Sequence, residues 1–241
     1  MKSALLLAQR EIASLFRSPV GYVVAAVALL IEGIYFYAFG LGQERLLSAQ
    51  VLALFFEGAA GTTMILSALL AMRLLAAERE SGTIVLLNTA PIREVEIVLG
   101  KFIAGLVFLT LISALTVYMP LLIFVNGKVA SGHILVGYLG LLLLASASLA
   151  VSLFAAALFR TQVVAVVVAS ALLGVLFGIY FLSLLTDPPI NTFLAGLAIF
   201  HVRQRSFMTG VLKLENVVYN LGVAFLFLLA ATKTLEARRW R

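Results

Sequence analysis

The stretch Ile134–Phe159 reads ILVGYLGLLLLASASLAVSLFAAALF and contains no charged residue. An α-helix needs about 20 apolar residues to cross the hydrocarbon core of a bilayer, and this stretch is longer than that. The run from Leu139 to Leu144 shows none of the every-second-residue alternation that is typical of a membrane β-strand. Because a helix satisfies its own backbone hydrogen bonds in lipid, the stretch predicts a transmembrane helix.

Five more stretches of the chain have the same apolar character. They cover residues 20–39, 51–72, 102–125, 163–185 and 217–232. Hydrophobic residues make up 63% of the 241 residues and charged residues 12%, whereas an average soluble domain is nearer half apolar and a quarter charged. We therefore predict an all-α polytopic membrane protein with six transmembrane helices in a single domain, residues 1–241. The first apolar run is too long for the core of a signal peptide, so we interpret it as a retained span.

The distribution of basic residues predicts the orientation. Six spans place both termini on one side of the membrane, and with the termini inside, twelve of the 17 Lys and Arg residues lie on the inner side. The positive-inside rule therefore predicts cytoplasmic termini in a bacterial inner membrane. The same distribution accounts for the net charge of +6, so nucleic-acid binding is not predicted.

Residues 1–19 form a candidate surface helix before the first span. Leu5, Ile12 and Leu15 fall on one side of a helical projection and Arg10 on the other. We predict an amphipathic helix that lies along the inner membrane surface. The alternative is a positively charged flank that only orients the first span.

The segment 73–101 is the most charged part of the chain, and we predict that it forms a cytoplasmic loop after the second span. Its charges flank an apolar patch, Ile84–Leu87, which a merely solvated loop would not require. An apolar patch rimmed by charge is typical of a docking surface, here for a partner protein or for the membrane. Pro91, followed by Glu94 and Glu96, predicts a second short helix near the end of the loop.

The outer segment, residues 186–215 between spans five and six, differs from the other connections. Its apolar part, Phe193–Phe200, is too short to cross a bilayer. A re-entrant or interfacial helix pair shielded by protein fits this pattern, and so does an ordinary periplasmic loop with a helix resting on the membrane. The sequence leaves both interpretations open.

Several ionisable residues are candidates for a transport pathway or its gate. Glu32 is the one such residue well inside a span, where a charge is costly and often functional. It can face a central pathway, pair with Arg203 or Arg205 of the outer segment, or lie among wet headgroups, and the sequence does not decide between these. Glu57 and His201 complete this set.

The chain carries no motif for chemistry of its own. It has no cysteine, and His133 and His201 lie in separate outer loops, so spacing specifies no metal site. Gly100-Lys101 lacks the upstream glycine and the Ser or Thr of a phosphate-binding loop. We therefore predict a chain without catalytic residues, cofactor or metal, which does not hydrolyse ATP by itself.

The loop carries a resemblance to a known family. Residues 73–87 read RLLAAERESGTIVLL and are followed by Pro91 and by EIVLGKF at residues 96–102. This pattern resembles the loop after the second span in the membrane permease subunits of ABC-2 type transporters. Val85 departs from the pattern, since the family often has Glu there. The beginning of the chain, Arg10–Tyr22, resembles the inner-surface connecting helix of these permeases.

Two further segments are similar to the gliding-motility (GldF-like) branch of that family. They are the outer stretch Phe200–Tyr219 and the C-terminal Arg238-Arg239-Trp240. With these segments the resemblance covers essentially the whole chain.

The resemblance implies a mechanism and partners. Two six-helix permeases would pair, and two copies of a separate P-loop ATPase would bind ATP and Mg²⁺ beneath them. The loop would insert into a cleft of each ATPase as a coupling helix, and the outer segment would form the outward gate. The residues that the resemblance assigns to ATPase coupling are Glu78, Arg79, Glu80, Ser81, Gly82 and Thr83.

We therefore expect the permease subunit of an exporter, which couples ATP hydrolysis in its partner to substrate movement across the inner membrane. A stand-alone ion-coupled carrier or channel with Glu32 as its ion site is the first alternative. A non-transporting membrane scaffold that moves with ATP turnover is the second. The cargo, the choice between homodimer and heterodimer, and any periplasmic accessory protein are left open.

Overall fold

The computed structural model describes residues 2–41, 47–80, 93–126 and 129–239, and every regular element within these ranges is helical. Six segments are long and apolar enough to cross a membrane, which confirms the predicted all-α fold with six candidate spans. The spans are Pro19–Gly40, Ser48–Ala76, Glu94–Val125, Ser131–Leu158, Gln162–Ser183 and Leu214–Ala237.

The helices are numbered here in chain order. They are α1 (Lys2–Arg17), α2 (Pro19–Tyr35), α3 (Ser48–Ala71), α4 (Ala77–Glu80), α5 (Glu94–Leu115), α6 (Tyr118–Asn126), α7 (Ser131–Leu158), α8 (Gln162–Ser183), α9 (Ile190–Leu197), α10 (Arg203–Met208) and α11 (Leu214–Arg239). Two π-helical segments, Phe36–Leu41 and Met72–Ala76, continue α2 and α3.

The fourth span, α7, is the central helix of the bundle. In its most apolar window 83% of the residues are buried, against 17% in α8 and 22% in α2 and α11. Small residues explain this position, because Ala and Ser allow neighbouring helix backbones to come close. The hydroxyl oxygens of Ser67 on α3 and Ser148 on α7 lie 2.8 Å apart in this buried contact.

Two glycines of α7 admit aromatic side chains from its neighbours. A Cβ atom on Gly137 would overlap the Phe56 ring of α3, and one on Gly140 would overlap Phe207 of α10. Both phenylalanines are fully buried. Gly140 lies about 14 Å along α7 from its first residue, at the helical rise of about 1.5 Å per residue, so α10 reaches well past the end of the span.

The outer segment folds back against the bundle instead of forming an exposed loop. The Ile199 amide donates a hydrogen bond to the Leu176 carbonyl of α8 at 3.3 Å, and Ile199 is fully buried. Gln204 and Met208 of α10 are buried together with Phe207. Of the two interpretations left open by the sequence, α10 matches a helix shielded by protein, whereas α9 has no buried residue and is not shielded in this way.

The predicted loop 73–101 is shorter than expected, because helices extend into it from both ends. The second span continues through Met72–Ala76 into α4, and the third span begins at Glu94 instead of Phe102. The short helix predicted near the end of the loop is the beginning of α5. Acidic side chains stabilise the first turn of a helix, and Glu94 and Glu96 lie in this turn. The connecting segment 81–92, with its apolar patch, lies outside the described residues.

The surface helix α1 packs along the beginning of α5. Leu7 of α1 and Ile97 of α5 form a small buried cluster, and a Cβ atom on Gly100 would press on the Ala4 carbonyl oxygen. Leu5, on the predicted apolar side, is 56% exposed and does not contribute to this contact with α5. The buried side instead follows positions spaced three or four residues apart, which share one face of a helix; they are Ala4, Leu7, Ala8, Glu11 and Leu15.

Candidate functional site

The residues that the resemblance assigns to ATPase coupling begin on α4. Glu78 and Glu80 both lie on this short helix, directly before the connecting segment. Ser81, Gly82 and Thr83 lie outside the described residues, as does the side chain of Arg79. The structure therefore locates the beginning of the predicted coupling motif.

A buried ion cluster surrounds Glu78. The Lys101 side chain of α5 is completely buried, and its Nζ atom lies 2.6 Å from Glu78 Oε2 and 3.4 Å from Glu11 Oε1. Lys101 also donates a hydrogen bond to the Leu74 carbonyl oxygen. Two hydrogen bonds, to Glu11 and to Leu74, and the ion pair with Glu78 therefore surround the buried ammonium.

Arg10 of α1 completes the ion cluster from its exposed side. Its Nη2 atom donates to Glu11 Oε1 at 2.8 Å and to Glu78 Oε1 at 3.0 Å, while its side chain remains 59% exposed. The hydrogen bond to Glu11 is the main cause that raises the pKa of the Arg10 guanidinium, against the opposing effect of partial burial. Arg10 therefore remains a cation wherever the protein is folded.

The formal charges of the ion cluster cancel, since two cations face two carboxylates. Buried charges are tolerated when they are paired and hydrogen-bonded, and removing one partner of a buried pair typically costs about 3–5 kcal/mol. Glu78 is thus held by cations from two helices, α1 and α5. The beginning of the predicted coupling motif is fixed to both.

Glu80 connects the same short helix to the fifth span. Its Oε2 atom accepts a hydrogen bond from the amide of Gln162, the first residue of α8, at 3.2 Å. The first amides of a helix have no intrahelical acceptor, and the helix dipole favours a negative charge beside them. Helix α4 is therefore bound to α1, α5 and α8 at the same time.

Sequence reasoning did not identify Lys101, Arg10 and Glu11 as members of this site. Lys101 was interpreted only as part of an incomplete phosphate loop and of the family pattern EIVLGKF, and not as an ion-pair partner. A usable signal was present, because a lysine among apolar residues near the end of a span requires a partner. The identity of that partner was not readable, since Glu11 and Glu78 are far from Lys101 in the chain.

Arg203 fixes the outer segment to the sixth span. Its guanidinium forms an ion pair with Glu215, donates to the Gly196 carbonyl at 3.2 Å, and lies 4.7 Å from the centre of the Tyr219 ring. The Tyr219 hydroxyl in turn donates to the Leu197 carbonyl at 2.6 Å. Arg203 therefore acts as a structural clamp.

His201 lies among aromatic rings at the end of the fifth span. Its ring stacks on Tyr180 with 4.7 Å between centroids and 5° between planes, and it meets Phe177 edge-on at 4.6 Å. Burial among these rings is the main cause that lowers the pKa of His201; the charge of Glu57 opposes this shift and that of Arg205 adds to it. The imidazole is therefore neutral at pH 7.

Glu32 is buried within the protein, at 5% exposure, and is not open to solvent. The predicted pairing with Arg203 or Arg205 is not formed, and Glu32 Oε2 has no hydrogen-bond partner among the described residues. The carboxyl lies within electrostatic reach of Tyr138, whose hydroxyl is 3.3 Å from Thr116 Oγ1 at the turn between α5 and α6.

The five pathway candidates therefore do not meet in one site. Arg203 clamps the outer segment, His201 packs among aromatic rings, and Glu32 is buried in the first span. Glu57 and Arg205 are exposed, and both act on His201 through their charge.

An apolar groove of about 230 Å³ lies between the second and fifth spans. Gly61 and Ala68 of α3 and Gly174 and Phe177 of α8 line it. A Cβ atom on Gly61 or Gly174 would meet no other atom within 4 Å. This groove, called the α3–α8 groove below, therefore has no covering element among the described residues.

Comparison with models of known protein families gives a match over residues 3–186, and the matching family is described as ABC-2 type transporter. The match includes α1, the ion cluster, the connecting segment and the first five spans. A comparison with curated proteins found no match. Since the family match covers well over half of the chain and the six apolar helices agree with it, this multi-pass membrane protein belongs to the ABC-2 type transporter family.

Proposed function

We propose that the chain is the permease subunit of an exporter in which a separate P-loop ATPase supplies the energy. A membrane domain of this family implies an ATPase partner. The observation that carries the proposal is the ion cluster, which attaches α4, directly before the connecting segment, to the helix bundle. If the ATPase displaced that segment, α1, α5 and α8 would move with it as rigid, packed helices.

The coupling role is proposed for Glu78, Arg79, Glu80, Ser81, Gly82 and Thr83. The Lys101–Glu78 ion pair supports it, because this pair joins the two helices that bound residues 81–92. The helices on the two sides of the segment are therefore joined to each other. ATP and Mg²⁺ would bind to two copies of the ATPase and not to this chain.

A second permease subunit is proposed to cover the α3–α8 groove. Only 17% of the apolar window of α8 is buried, and the groove has no neighbour in the described chain. The second subunit is either another copy or a different permease of the same fold. The two together would place twelve spans around the substrate path.

The outer segment is proposed as the outward gate. Two observations support this proposal. Helix α10 packs beside α7 as far along as Gly140, and Arg203 clamps the outer segment to the sixth span. With most Lys and Arg residues on the side of the termini, the gate would face the periplasm and both termini the cytoplasm of a bacterial inner membrane. Membership in the gliding-motility branch and attachment of a periplasmic accessory protein are parts of the same proposal.

A stand-alone ion-coupled carrier or channel is the second candidate function, and the observation that favours it is the burial of Glu32 without an ion partner in the part of the chain that the structure describes. This candidate predicts proton or sodium flux into liposomes that contain only the purified chain, and loss of that flux in Glu32→Gln. The permease proposal predicts no flux without ATPase. A non-transporting scaffold would show ATP-driven movement of the loop and no flux under either condition.

Affinity purification from native membranes in a mild detergent tests the main proposal. We expect mass spectrometry to identify a P-loop ATPase in a one-to-one ratio with the permease subunits. A chain that purifies without any ATPase, and that conducts ions alone, would shift the assignment to the carrier.

A further inference from the structure

We propose that Lys101 is a positioning residue that joins the surface helix α1 to the beginning of the coupling loop, and that α1 carries the displacement of the loop to the first span. This inference rests on the proposed function, because it requires an ATPase that moves the loop. It adds the residue and the route by which that movement reaches the membrane.

Lys101 is the joint because its three partners come from two other parts of the chain. Glu11 belongs to α1, whereas Leu74 and Glu78 belong to the end of the second span and to α4. The Lys101 side chain has no exposed surface, so a partner that moves away leaves a buried ammonium with an unsatisfied donor, which is unfavourable. A displacement of Glu78 is therefore resisted unless Lys101 and Glu11 follow it.

Helix α1 behaves as one body with the beginning of α5. Leu7 packs on Ile97, and Gly100 lets the α5 backbone approach the Ala4 carbonyl closely. Without the ion cluster, this apolar contact would hold α1 to α5 and leave α4 outside the unit. The ion pair between Lys101 of α5 and Glu78 of α4 attaches α4 to these two helices.

The connection from α1 to the first span is short and closely packed. Ser18 is the only residue between α1 and α2, and its amide still donates to the Ser14 carbonyl at 3.1 Å. The Gly21 amide donates to the Ser18 carbonyl at 3.1 Å, and Gly21 packs so closely on the Leu15 carbonyl that a Cβ atom could not be placed there. A rotation of α1 is therefore passed to α2 and is not absorbed by a flexible linker.

The first span is also one of the spans that the bundle holds least. Only 22% of its apolar window is buried, whereas the second and fourth spans reach 72% and 83%. Elements with few buried contacts are displaced at low cost. The joint therefore directs the movement of the loop to a span that can respond, and this span carries Glu32.

Spin-label distances in the assembled permease–ATPase complex test the proposal. This chain has no cysteine, so within it only the introduced cysteines take up a label. One label at Ser131, at the beginning of the central helix α7, serves as the reference. The second label is placed at Gln9 on α1, at Val27 on α2, or at Asn88 in the connecting segment.

Two double variants remove Lys101 from the joint without leaving an unbalanced charge. Lys101→Met with Glu78→Gln keeps the Arg10–Glu11 pair. Lys101→Met with Glu11→Gln keeps the Arg10–Glu78 pair, which contributes little because the Arg10 side chain is 59% exposed. The second variant leaves Glu78 intact for its own role in coupling, and it remains available if the first does not fold.

The control removes an ion pair of the same type outside the joint. Lys233→Met with Glu236→Gln eliminates a 2.7 Å pair on α11 whose lysine side chain is 67% exposed. Exposed pairs contribute little, so this variant should match the wild-type protein in every distance.

With ATP and vanadate, we expect all three distances to shift in the wild-type complex. In the joint variants the shift at Asn88 should persist, while the shifts at Gln9 and Val27 fall at least twofold. Folded joint variants whose Gln9 and Val27 labels move as in the wild-type protein would overturn the inference.

A distance measurement without nucleotide separates this inference from the proposed function. If Asn88 does not move with ATP in the wild-type complex, the proposed function fails, and the joint is then judged on the permease without nucleotide. There the joint variants should at least double the width of the Gln9–Ser131 distance distribution. An unchanged width in both variants would overturn the joint.

Discussion

Lys101 illustrates how a single residue can set the arrangement of several helices. A buried ammonium is very unfavourable in an apolar interior unless its donors are satisfied. Its partners, Glu11, Glu78 and Leu74, come together only when α1, the second span and the third span are all in place. The same principle applies to Arg203, whose partners Gly196 and Glu215 come together only when the outer segment is folded.

The clamp formed by Arg203 should be worth a measurable part of the stability. In Arg203→Ala the Glu215 ion pair, the Gly196 hydrogen bond and the contact with the Tyr219 ring are all lost. Since hydrogen bonds to charged groups contribute about 1.5–3 kcal/mol, we expect a loss of about 2 kcal/mol, measured by thermal unfolding in detergent.

The matched control is Arg205→Ala, two residues away on the same helix and exposed. Exposed substitutions usually change stability by about 0.5 kcal/mol or less. Equal melting temperatures for the two variants would show that Arg203 is not a clamp.

His201 predicts a pH dependence of stability. Because burial lowers its pKa below the ordinary value of 6.5, the unfolded chain takes up a proton at a higher pH than the folded protein does. The stabilisation from neutral His201 is therefore fully present above about pH 6.5 and is lost as the pH falls below it. Melting temperatures at pH 7.5 and pH 5.5 should differ by less in His201→Phe, which keeps a ring without a titrating group, than in the wild-type protein. A drop of equal size in both proteins would assign the effect to other groups.

At the scale of helices, the number of spans was predictable, whereas their exact lengths and their contacts were not. An uncharged apolar run such as Ile134–Phe159 is sufficient for a span, because lipid enforces internal backbone hydrogen bonds. The same run does not reveal that α7 is the central helix, because α8 is just as apolar and is mostly exposed. What separates them is the matching of small residues with partners such as Phe56 and Phe207, and this depends on the three-dimensional arrangement.

The close contact between α7 and α10 gives a test at this scale. In Gly140→Ala the new methyl group would overlap Phe207, so we expect a loss of about 1–3 kcal/mol. Gly132→Ala on the same helix meets no atom within 4 Å and should be neutral or slightly stabilising. Thermal unfolding of the two variants compares them directly. An unaffected Gly140→Ala protein would mean that α10 does not pack against α7 at this depth.

The candidate site was predictable only in part, for a reason that its residues make clear. The motif around Glu78 was identified through its resemblance to a family, and the loop through its mixed charged and apolar character. Arg10, Glu11 and Lys101 were not identified as one cluster, since ion pairs between distant segments leave no periodicity in one sequence. Membership in the ABC-2 type transporter family was confirmed, while the coupling role of Glu78 stays a prediction.

For the whole molecule, the exposed α3–α8 groove predicts how the complex assembles. Gly174→Phe would fill the groove, whereas Gly222→Phe adds the same ring to α11 at a glycine with equally open surroundings. We expect the first variant to reduce the amount of complex with two permeases at least fivefold, and the second to leave it unchanged, as measured by native mass spectrometry. Intact complex with Gly174→Phe would place the second permease elsewhere.

The central claim is that an ATPase docks on the segment after the second span. The most direct measurement is photo-crosslinking in native membranes from an unnatural amino acid at Ile84, with Ile190 of the outer segment as the matched control position. We predict that Ile84 crosslinks to a protein with a phosphate-binding loop and that Ile190 does not. If Ile84 yields no such product while the protein is inserted and folded, or if both positions yield the same product, the account of this chain as an ATPase-coupled permease is contradicted.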